Sequence, residues 1–249
     1  MCGIVAYIGS KPARGLLLEG LKRLEYRGYD SAGLAVVDAD RRLRVCRSAG
    51  RVRVLEDLLE EQEGFEGRIG IAHTRWATHG EPSDRNAHPH ADDPDRGHGI
   101  ALVHNGIIEN HATLKTWLRE RGHEFTSDTD TEVLVSLISE LYEGDLEAAV
   151  QAALREVTGA YAIAVVCAEE PEVLVLARKG SPLMVGVGKD EYVAASDQSA
   201  IVAHTTQAFT LEDYTVARLT PTSFRTTTID NVEITPRIAE LEVDLGQIE

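Results

Sequence analysis

Two segments in the second half of the chain, residues 161–167 and 173–177, are almost continuously apolar. A strand with one solvent-exposed face alternates apolar and polar residues, so unbroken apolar runs indicate strands that are buried on both faces. Helical periodicity precedes them in residues 109–121, 131–142 and 146–157. Two stacked sheets between helical layers explain this order better than one open doubly wound sheet. The sequence therefore predicts an α/β protein of the four-layer α/β/β/α type.

The remaining elements follow from shorter patterns. Residues 12–28 carry leucines at helical spacing, and residues 54–62 predict a short charged helix. Because of their charge, that helix and the predicted strands at 31–37 and 43–47 are expected at an edge or on the surface. Residues 78–99 form a long turn-rich stretch, and loops of this length in compact domains are usually functional. Further strands are predicted at residues 4–8, 68–77, 100–108, 183–187, 192–195, 214–219 and 224–229.

The 249 residues contain no internal repeat and no low-complexity linker, which favours a single domain. We place this domain at residues 1–235 and interpret the acidic residues 236–249 as the start of a linker to a further domain. No apolar run approaches the ~20 residues that cross a bilayer, and residues 1–10 lack the basic and apolar parts of a secretory signal. We therefore expect a cytoplasmic protein.

The charge balance narrows the choice of partners. Lys and Arg total 25 against 41 Asp and Glu, a formal net charge of −16. Such a charge repels phosphate backbones and anionic lipid surfaces, so neither nucleic acid nor a membrane is an expected partner. The three cysteines are odd in number and form no CxxC pair, so any importance they have is individual.

Cys2 directly follows the initiator Met1. Methionine aminopeptidases commonly remove Met before a small residue, which would leave Cys2 with a free α-amine. An α-amine has a pKa of about 7.7 to 8.0 and a thiol about 8.5, so near neutral pH this amine can take the thiol proton without a partner histidine. The alternative interpretation is that Cys2 is only the small, buried start of a strand.

Five separated blocks place Cys2 in a wider pattern, and they occur in the order MCGIV, LEYRGYDSAG, AHTRWATHGEP, NAHPH and HNGIIEN. Together they resemble the N-terminal glutaminase domain of glucosamine-6-phosphate synthases, a group of class II amidotransferases with the N-terminal-nucleophile hydrolase fold. The resemblance covers roughly the first 235 residues, and five ordered blocks are far more specific than one short motif. One departure is Ala6, where the family commonly has glycine.

The resemblance implies a covalent mechanism centred on Cys2. Once Met1 is removed, the thiol would attack the side-chain amide of L-glutamine and form a glutamyl thioester. Asn105 and Gly106 match the family's oxyanion hole. Without the resemblance, Asn-Gly between apolar runs would predict a type I′ hairpin turn.

The resemblance also assigns residues to the bound glutamine. Arg75 would hold the substrate carboxylate and Asp130 the ammonium group, and Thr78 and His79 would make further contacts. A guanidinium suits a carboxylate because its planar fork can donate two hydrogen bonds. Asp130 has a second explanation in the sequence, because a carboxylate in the first turn of a helix stabilises the helix dipole.

Two further residues have weaker assignments. Trp76 matches the indole that gates the ammonia passage in the family, although a Trp that merely packs on the core or lies exposed is the simpler interpretation. Arg27, within the Tyr-Arg-Gly-Tyr-Asp stretch, matches a residue near the nucleophile.

Seven of the nine histidines fall between His73 and His111, which raises the possibility of a zinc site. No cysteine lies nearby and no His-Glu-x-x-His occurs, and Asn-Ala-His-Pro-His belongs to the amidotransferase pattern. We therefore predict no metal and no cofactor.

The leading hypothesis is an enzyme that hydrolyses L-glutamine and supplies ammonia to a C-terminal sugar-isomerase domain, which would make glucosamine 6-phosphate from fructose 6-phosphate within a homodimer. A second possibility is the glutaminase half of amidophosphoribosyltransferase, asparagine synthetase or glutamate synthase, against which the Arg-Trp-Ala-Thr-His-Gly block argues. A third is a non-catalytic module, which would follow if Met1 were retained and blocked the amine.

Overall fold

The computed structural model describes residues 2–77, 80–95 and 97–241. Over these residues the chain forms five α-helices: α1 Ala13–Leu24, α2 Val52–Glu60, α3 His111–Arg119, α4 Asp130–Glu140 and α5 Leu146–Glu156. It also forms fifteen strands: β1 Gly3–Gly9, β2 Ser31–Val37, β3 Leu43–Ala49, β4 Ile69–Arg75, β5 His90–Ala91, β6 Ile100–Ile108, β7 Gly159–Cys167, β8 Leu174–Lys179, β9 Met184–Val187, β10 Glu191–Ala195, β11 Gln207–Thr210, β12 Thr215–Leu219, β13 Phe224–Thr228, β14 Glu233–Ile234 and β15 Ala239–Glu240.

The strands form two antiparallel sheets. The first has the order β15-β11-β9-β10-β1-β4-β2-β3, and the second has the order β14-β13-β12-β8-β7-β6-β5. Helices α1 and α2 pack on the outer face of the first sheet, and α3, α4 and α5 pack on the outer face of the second. The predicted four-layer α/β/β/α architecture is confirmed.

The hydrophobic core divides into three clusters, one at each contact between layers. The middle cluster lies between the two sheets and contains many alanines. Small side chains on facing strands let the two sheets approach closely, and burial of the larger neighbours Ile71, Val103 and Leu176 supplies hydrophobic stabilisation. The unbroken apolar pattern of β7 and β8 arises because one face of each strand meets the first sheet and the other meets the helices.

Strand register brings distant parts of the chain to one end of the sandwich. In the first sheet Gly3 lies opposite Thr74, so Cys2 comes to the end of β4 beside Arg75 and Trp76. In the second sheet all nine residues of β6 pair with β7. The end of β6 leads directly to the helical layer that carries the start of α4.

Helix capping agrees in part with the sequence. Thr129 caps α4 by accepting a hydrogen bond from the Glu132 N–H, as the Thr-x-x-Glu pattern predicts. The reciprocal half of the capping box is absent, because the Glu132 carboxylate accepts instead from the N–H groups of Thr126 and Ser127. Asp145 caps α5 through the Ala148 N–H.

The predicted edge position of β2 and the predicted list of strands both need correction. β2 is not an edge strand: it lies between β4 and β3 and is buried along its whole length, because its residues are small and apolar while the charge belongs to the segments around it. β3 lies at one edge of that sheet, as expected. The sequence patterns do not predict the short strands β5, β11, β14 and β15. β15 falls in the segment interpreted as a linker, and it pairs with β11.

Within the ranges described above, no helix is long and apolar enough to cross a bilayer.

A glycine in β2 lets the backbone of the loop before β5 pack closely against the first sheet. A Cβ added at Gly33 would lie 2.3 Å from the backbone oxygen of His88, which is far inside contact distance. At Gly15, on the exposed side of α1, an added Cβ meets no atom within 4 Å.

The two glycines therefore predict opposite effects of the same substitution. Gly33→Ala is expected to lower the free energy of unfolding by about 1–3 kcal/mol, since overpacked backbone must shift. Gly15→Ala is expected to raise it by roughly 0.5–1 kcal/mol, since alanine favours a helix over glycine. Urea unfolding of the two variants measures both, and a Gly33→Ala protein as stable as wild type would contradict the close approach.

Candidate active site

A pocket of about 560 Å³ opens at the end of the sandwich where β1, β4, β6 and α4 meet. Its lining includes every predicted site residue that the structure describes: Cys2, Arg27, Arg75, Trp76, Asn105, Gly106 and Asp130. The other two predicted residues, Thr78 and His79, lie outside the described residues. Residues more than 100 positions apart in the sequence are thus brought into one concavity.

Cys2 lies immediately before β1, with its thiol held against the end of β4. The Trp76 N–H donates a hydrogen bond to Cys2 Sγ at 3.2 Å, and Sγ lies 3.6 Å from the Trp76 carbonyl oxygen. Burial raises the pKa of the Cys2 thiol, while the Trp76 N–H and the positive charge of Arg75 act in the opposite direction. The thiol therefore stays protonated near neutral pH unless a neighbouring base removes its proton.

Asn105 and Gly106 lie within β6, opposite Ala162 and Tyr161 of β7, so the interpretation as a hairpin turn is wrong. Long-range pairing overrides the local turn signal. Gly106 has a φ of +136°, and a Cβ there would lie 2.1 Å from the Ala160 oxygen, so this position requires glycine. Gly106 is exposed to the pocket.

The Asn105 side chain is buried between the two sheets at the pocket wall. Its Nδ2 donates to the carbonyl oxygen of Cys2 at 3.4 Å, and its Oδ1 lies 2.9 Å from Nε2 of His73. One end of the amide therefore faces the residue that carries the thiol.

Arg75 and Asp130 place opposite charges in the same pocket. Arg75 ends β4 with only 5% of its surface exposed, and its Nη2 donates to the carbonyl oxygen of Gly80 at 3.2 Å. Asp130 begins α4, and its Oδ2 accepts a hydrogen bond from the Ile108 N–H at 2.7 Å. The carboxylate thus lies in the first turn of a helix, where it stabilises the helix dipole, and it also lines the pocket.

Trp76 and Arg27 form part of the pocket rim. The Trp76 side chain is 52% exposed and packs on Gly28, where an added Cβ would lie 2.5 Å from the indole ring. Arg27 makes an ion pair with Asp197, which follows β10, and its guanidinium lies 5.7 Å from the centre of the Tyr26 ring. Arg27 is therefore held in place across the end of the first sheet.

Asp30 fixes the segment that leaves β4, a role that the sequence did not reveal. Its N–H donates to the Arg75 carbonyl oxygen at 2.8 Å, and its carboxylate accepts from the Ala77 N–H. Trp76 lies between these two contacts. The location of Asp30 in the second block of the resemblance, LEYRGYDSAG, is the signal that could have identified it.

Four buried histidines lie at or behind the pocket wall: His88 and His104 line the pocket, and His73 and His90 lie behind it. The rings of His73 and His88 stack at 4.4 Å, and those of His88 and His90 meet edge-on at 5.0 Å. Burial lowers the pKa of His73 to about 3, and it lowers the pKa values of the other three as well. Across the described part of the chain, no group of three or more His, Cys, Asp or Glu is arranged to hold a metal ion.

These histidines act as neutral hydrogen-bonding groups. His104 Nδ1 lies 3.0 Å from Thr131 Oγ1, and His90 Nε2 lies 3.0 Å from Thr129 Oγ1. Both partners belong to the start of α4. The histidines therefore tie the strands to the helix turn that carries Asp130.

Two antiparallel sheets between helical layers, with a cysteine at the head of a central strand, define the N-terminal-nucleophile hydrolase fold of amidotransferases. The sequence matches the family described as "Glutamine amidotransferase domain" over residues 60–244, and the chain belongs to that family. This match confirms the family predicted from the sequence blocks.

Relatives and solved structures agree with the assignment. The chain is 51% identical over its whole length to the glutamine–fructose-6-phosphate aminotransferase [isomerizing] of Chlorobaculum tepidum and 49% identical to that of Bacteroides thetaiotaomicron. It spans 41% of the length of each. The glutamine phosphoribosylpyrophosphate amidotransferase of B. subtilis, complexed with ADP and GMP, superposes with a TM-score of 0.77 at 26% identity, covering 92% of this chain and 49% of that one.

The buried histidines predict that the protein loses stability in mild acid. The pKa values of these histidines in the folded protein lie below the unfolded value of about 6.5. Below that pH the unfolded chain therefore binds more protons than the folded chain. The free energy of unfolding is therefore unaffected by these histidines above pH 6.5. It falls as the pH drops from 6.5 toward 3, by up to about 1.4 kcal/mol per pH unit for each histidine.

Urea unfolding between pH 7.5 and pH 5 tests this expectation. The free energy of unfolding should fall over this range, and His90→Gln, which keeps a donor for Thr129 but does not titrate, should fall less steeply. A stability that is flat from pH 7.5 to pH 5 would contradict the neutral histidine cluster.

Proposed function

We propose that this chain hydrolyses L-glutamine to L-glutamate and ammonia, with Cys2 as the nucleophile. The observation that carries the proposal is the position of the Cys2 thiol, in one pocket with an amide donor at Asn105 and with the opposite charges of Arg75 and Asp130. Membership of the glutamine amidotransferase family supports it.

Glutamine recognition follows from charge. The substrate is a zwitterion, so its carboxylate needs a cation and its ammonium group needs an anion. Arg75 offers a planar donor fork for the carboxylate, and Asp130, oriented by the Ile108 N–H, offers an acceptor for the ammonium group. A pocket of about 560 Å³ has the volume for one amino acid. Thr78 and His79 are proposed as further glutamine contacts.

Activation of the nucleophile requires a base, because burial raises the thiol pKa. In the processed protein the α-amine of Cys2 takes the thiol proton, and Sγ attacks the side-chain carbonyl carbon of glutamine. The tetrahedral intermediate collapses as the amine returns the proton to the leaving nitrogen, which departs as ammonia. Water then attacks the resulting thioester, releases glutamate and restores the thiol.

The negative charge of the tetrahedral intermediate needs donors. The Asn105 Nδ2 group and the Gly106 N–H are proposed to stabilise the oxygen that becomes charged. Trp76, half exposed at the rim, is proposed as a gate for departing ammonia, and Arg27 as a residue that orders the rim near Cys2.

The fate of the ammonia is proposed from the relatives. Sequences 49–51% identical to this chain belong to enzymes named for glutamine and fructose 6-phosphate, whereas the phosphoribosylpyrophosphate enzyme is only 26% identical. We therefore favour a glutaminase domain at residues 1–235, joined through residues 236–249 to a sugar-isomerase domain. In a cytoplasmic homodimer that domain would convert fructose 6-phosphate to glucosamine 6-phosphate.

Replacement of the nucleophile tests the proposal. Cys2→Ala should abolish ammonia release from glutamine while leaving the melting temperature within a few degrees of wild type, because the thiol makes only weak contacts. Cys46→Ala, which removes a buried thiol in β3, is the control and should retain activity. Intact mass must first show that Met1 has been removed. An alkylating glutamine analogue should then label Cys2, and near wild-type turnover by Cys2→Ala would refute the mechanism.

Removal of the Asp130 charge tests substrate recognition. Asp130→Asn keeps an acceptor for the Ile108 N–H but removes the partner of the ammonium group. KM for glutamine should rise roughly 10- to 100-fold, because hydrogen bonds to charged groups contribute about 1.5–3 kcal/mol. Asp145→Asn makes the same change at the start of α5, where Asn caps a helix equally well, and should leave KM unchanged. Equal KM values in the two variants would show that Asp130 does not bind the ammonium group of glutamine.

A further inference from the structure

We propose that His73 is a positioning residue that holds the Asn105 amide with its NH₂ group facing the reacting carbonyl. The inference rests on the proposed function, in which that NH₂ group stabilises the intermediate, and it adds a residue to which that function gave no role. It also gives a role to the Asn-Ala-His-Pro-His block, through His88.

The contact joins the two sheets of the sandwich. His73 lies in β4 of the first sheet, opposite Ile4 of β1 and Gly33 of β2, and its side chain is fully buried. Its Nε2 is 2.9 Å from Oδ1 of Asn105, which lies in β6 of the second sheet. The hydrogen bond therefore runs between layers and reaches Asn105 from a residue that does not itself line the pocket.

The two ends of the Asn105 amide have different neighbours. The Cys2 carbonyl oxygen is an acceptor, so the group 3.4 Å from it must be the NH₂. The oxygen end must then accept from His73. With the amide reversed, its oxygen would face the Cys2 carbonyl and present negative charge where the oxyanion forms.

The protonation of His73 suits this role. Its Nδ1 is buried, and among the described residues it has no hydrogen-bond partner. A neutral ring protonated on Nε2 therefore donates to Asn105 and leaves no buried N–H unsatisfied. Burial, which lowers the pKa of His73 to about 3, keeps the ring in this neutral form near neutral pH.

His88 fixes the plane of the His73 ring. The two rings stack at 4.4 Å with an angle of 26° between their planes. The His88 backbone is held against β2 by the close approach at Gly33. Rotation about the last bond of an Asn side chain is otherwise weakly restricted, so a donor in a fixed plane is what determines the orientation of the amide.

Three substitutions at His73 separate positioning from packing. In His73→Gln the side-chain NH₂ can reach the place of Nε2 and donate to Asn105. His73→Met has a similar length and no donor, and His73→Asn has a donor that ends about one bond short. The measurements are kcat and KM for ammonia release from glutamine, with the melting temperature of each protein.

We expect kcat to fall about 10- to 100-fold in His73→Met and in His73→Asn, somewhat less than the cost of removing an oxyanion donor, with KM changed by less than about threefold. His73→Gln should stay within about fivefold of wild type. The Gln and Asn pair still decides the matter if His73→Met does not fold.

A double substitution provides the second test. In an Asn105→Ala background the amide is gone, so His73→Asn should lower kcat by no more than about threefold further. If Gln, Met and Asn at position 73 have equal kcat, or if the losses multiply in the Asn105→Ala background, His73 acts only through packing and the inference fails. A wild-type protein that releases no ammonia would instead refute the proposed function itself.

Discussion

The contact between the two sheets determines where every group of the pocket lies. Alanines on the facing strands let the layers approach closely, and this brings the ends of β1 and β4 to the wall formed by β6. Cys2 and Arg75 come from one sheet, and Asn105 and Gly106 come from the other. A shift of one layer along the other would separate thiol from amide without breaking a single strand, so the precision of the site depends on packing density in the middle layer.

The pocket contains buried charged and polar side chains, which lower stability, and hydrogen bonds that offset this cost. A buried arginine, a buried carboxylate and several neutral histidines lie at one end of the sandwich, where burial of a polar group without a partner is costly. Backbone groups supply many of the partners: Ile108 orients Asp130, and Gly80 accepts from Arg75. The positions of these charged groups therefore depend on hydrogen bonds to neighbouring backbone as well as on the packing of strands and helices.

Much of the fold could be predicted from the sequence, because its long elements carry strong periodicity and two helices, α4 and α5, begin at capping residues. The bounds of β2 and β6 agree with the prediction, and α5 differs by one residue at its end. The strands β5, β14 and β15 have only two residues each and are too short to show a period. Asn-Gly suggested a turn because that signal is local, while nine-residue pairing with β7 decided the outcome. The partner of His73 is 32 residues away on the other sheet, and no local pattern reveals such a pair.

The first strand has a consequence for biosynthesis. β1 lies between β4 and β10, and the Ile4 N–H donates to Ser196 Oγ across 192 positions of sequence. A ribosome must therefore deliver most of the chain before that strand can find both neighbours, and pairings of such long range form slowly. Until then Cys2 has neither its pocket nor its amide donor. A nascent or misassembled copy therefore lacks the assembled pocket, so the surroundings of Cys2 described above exist only in the fully folded chain.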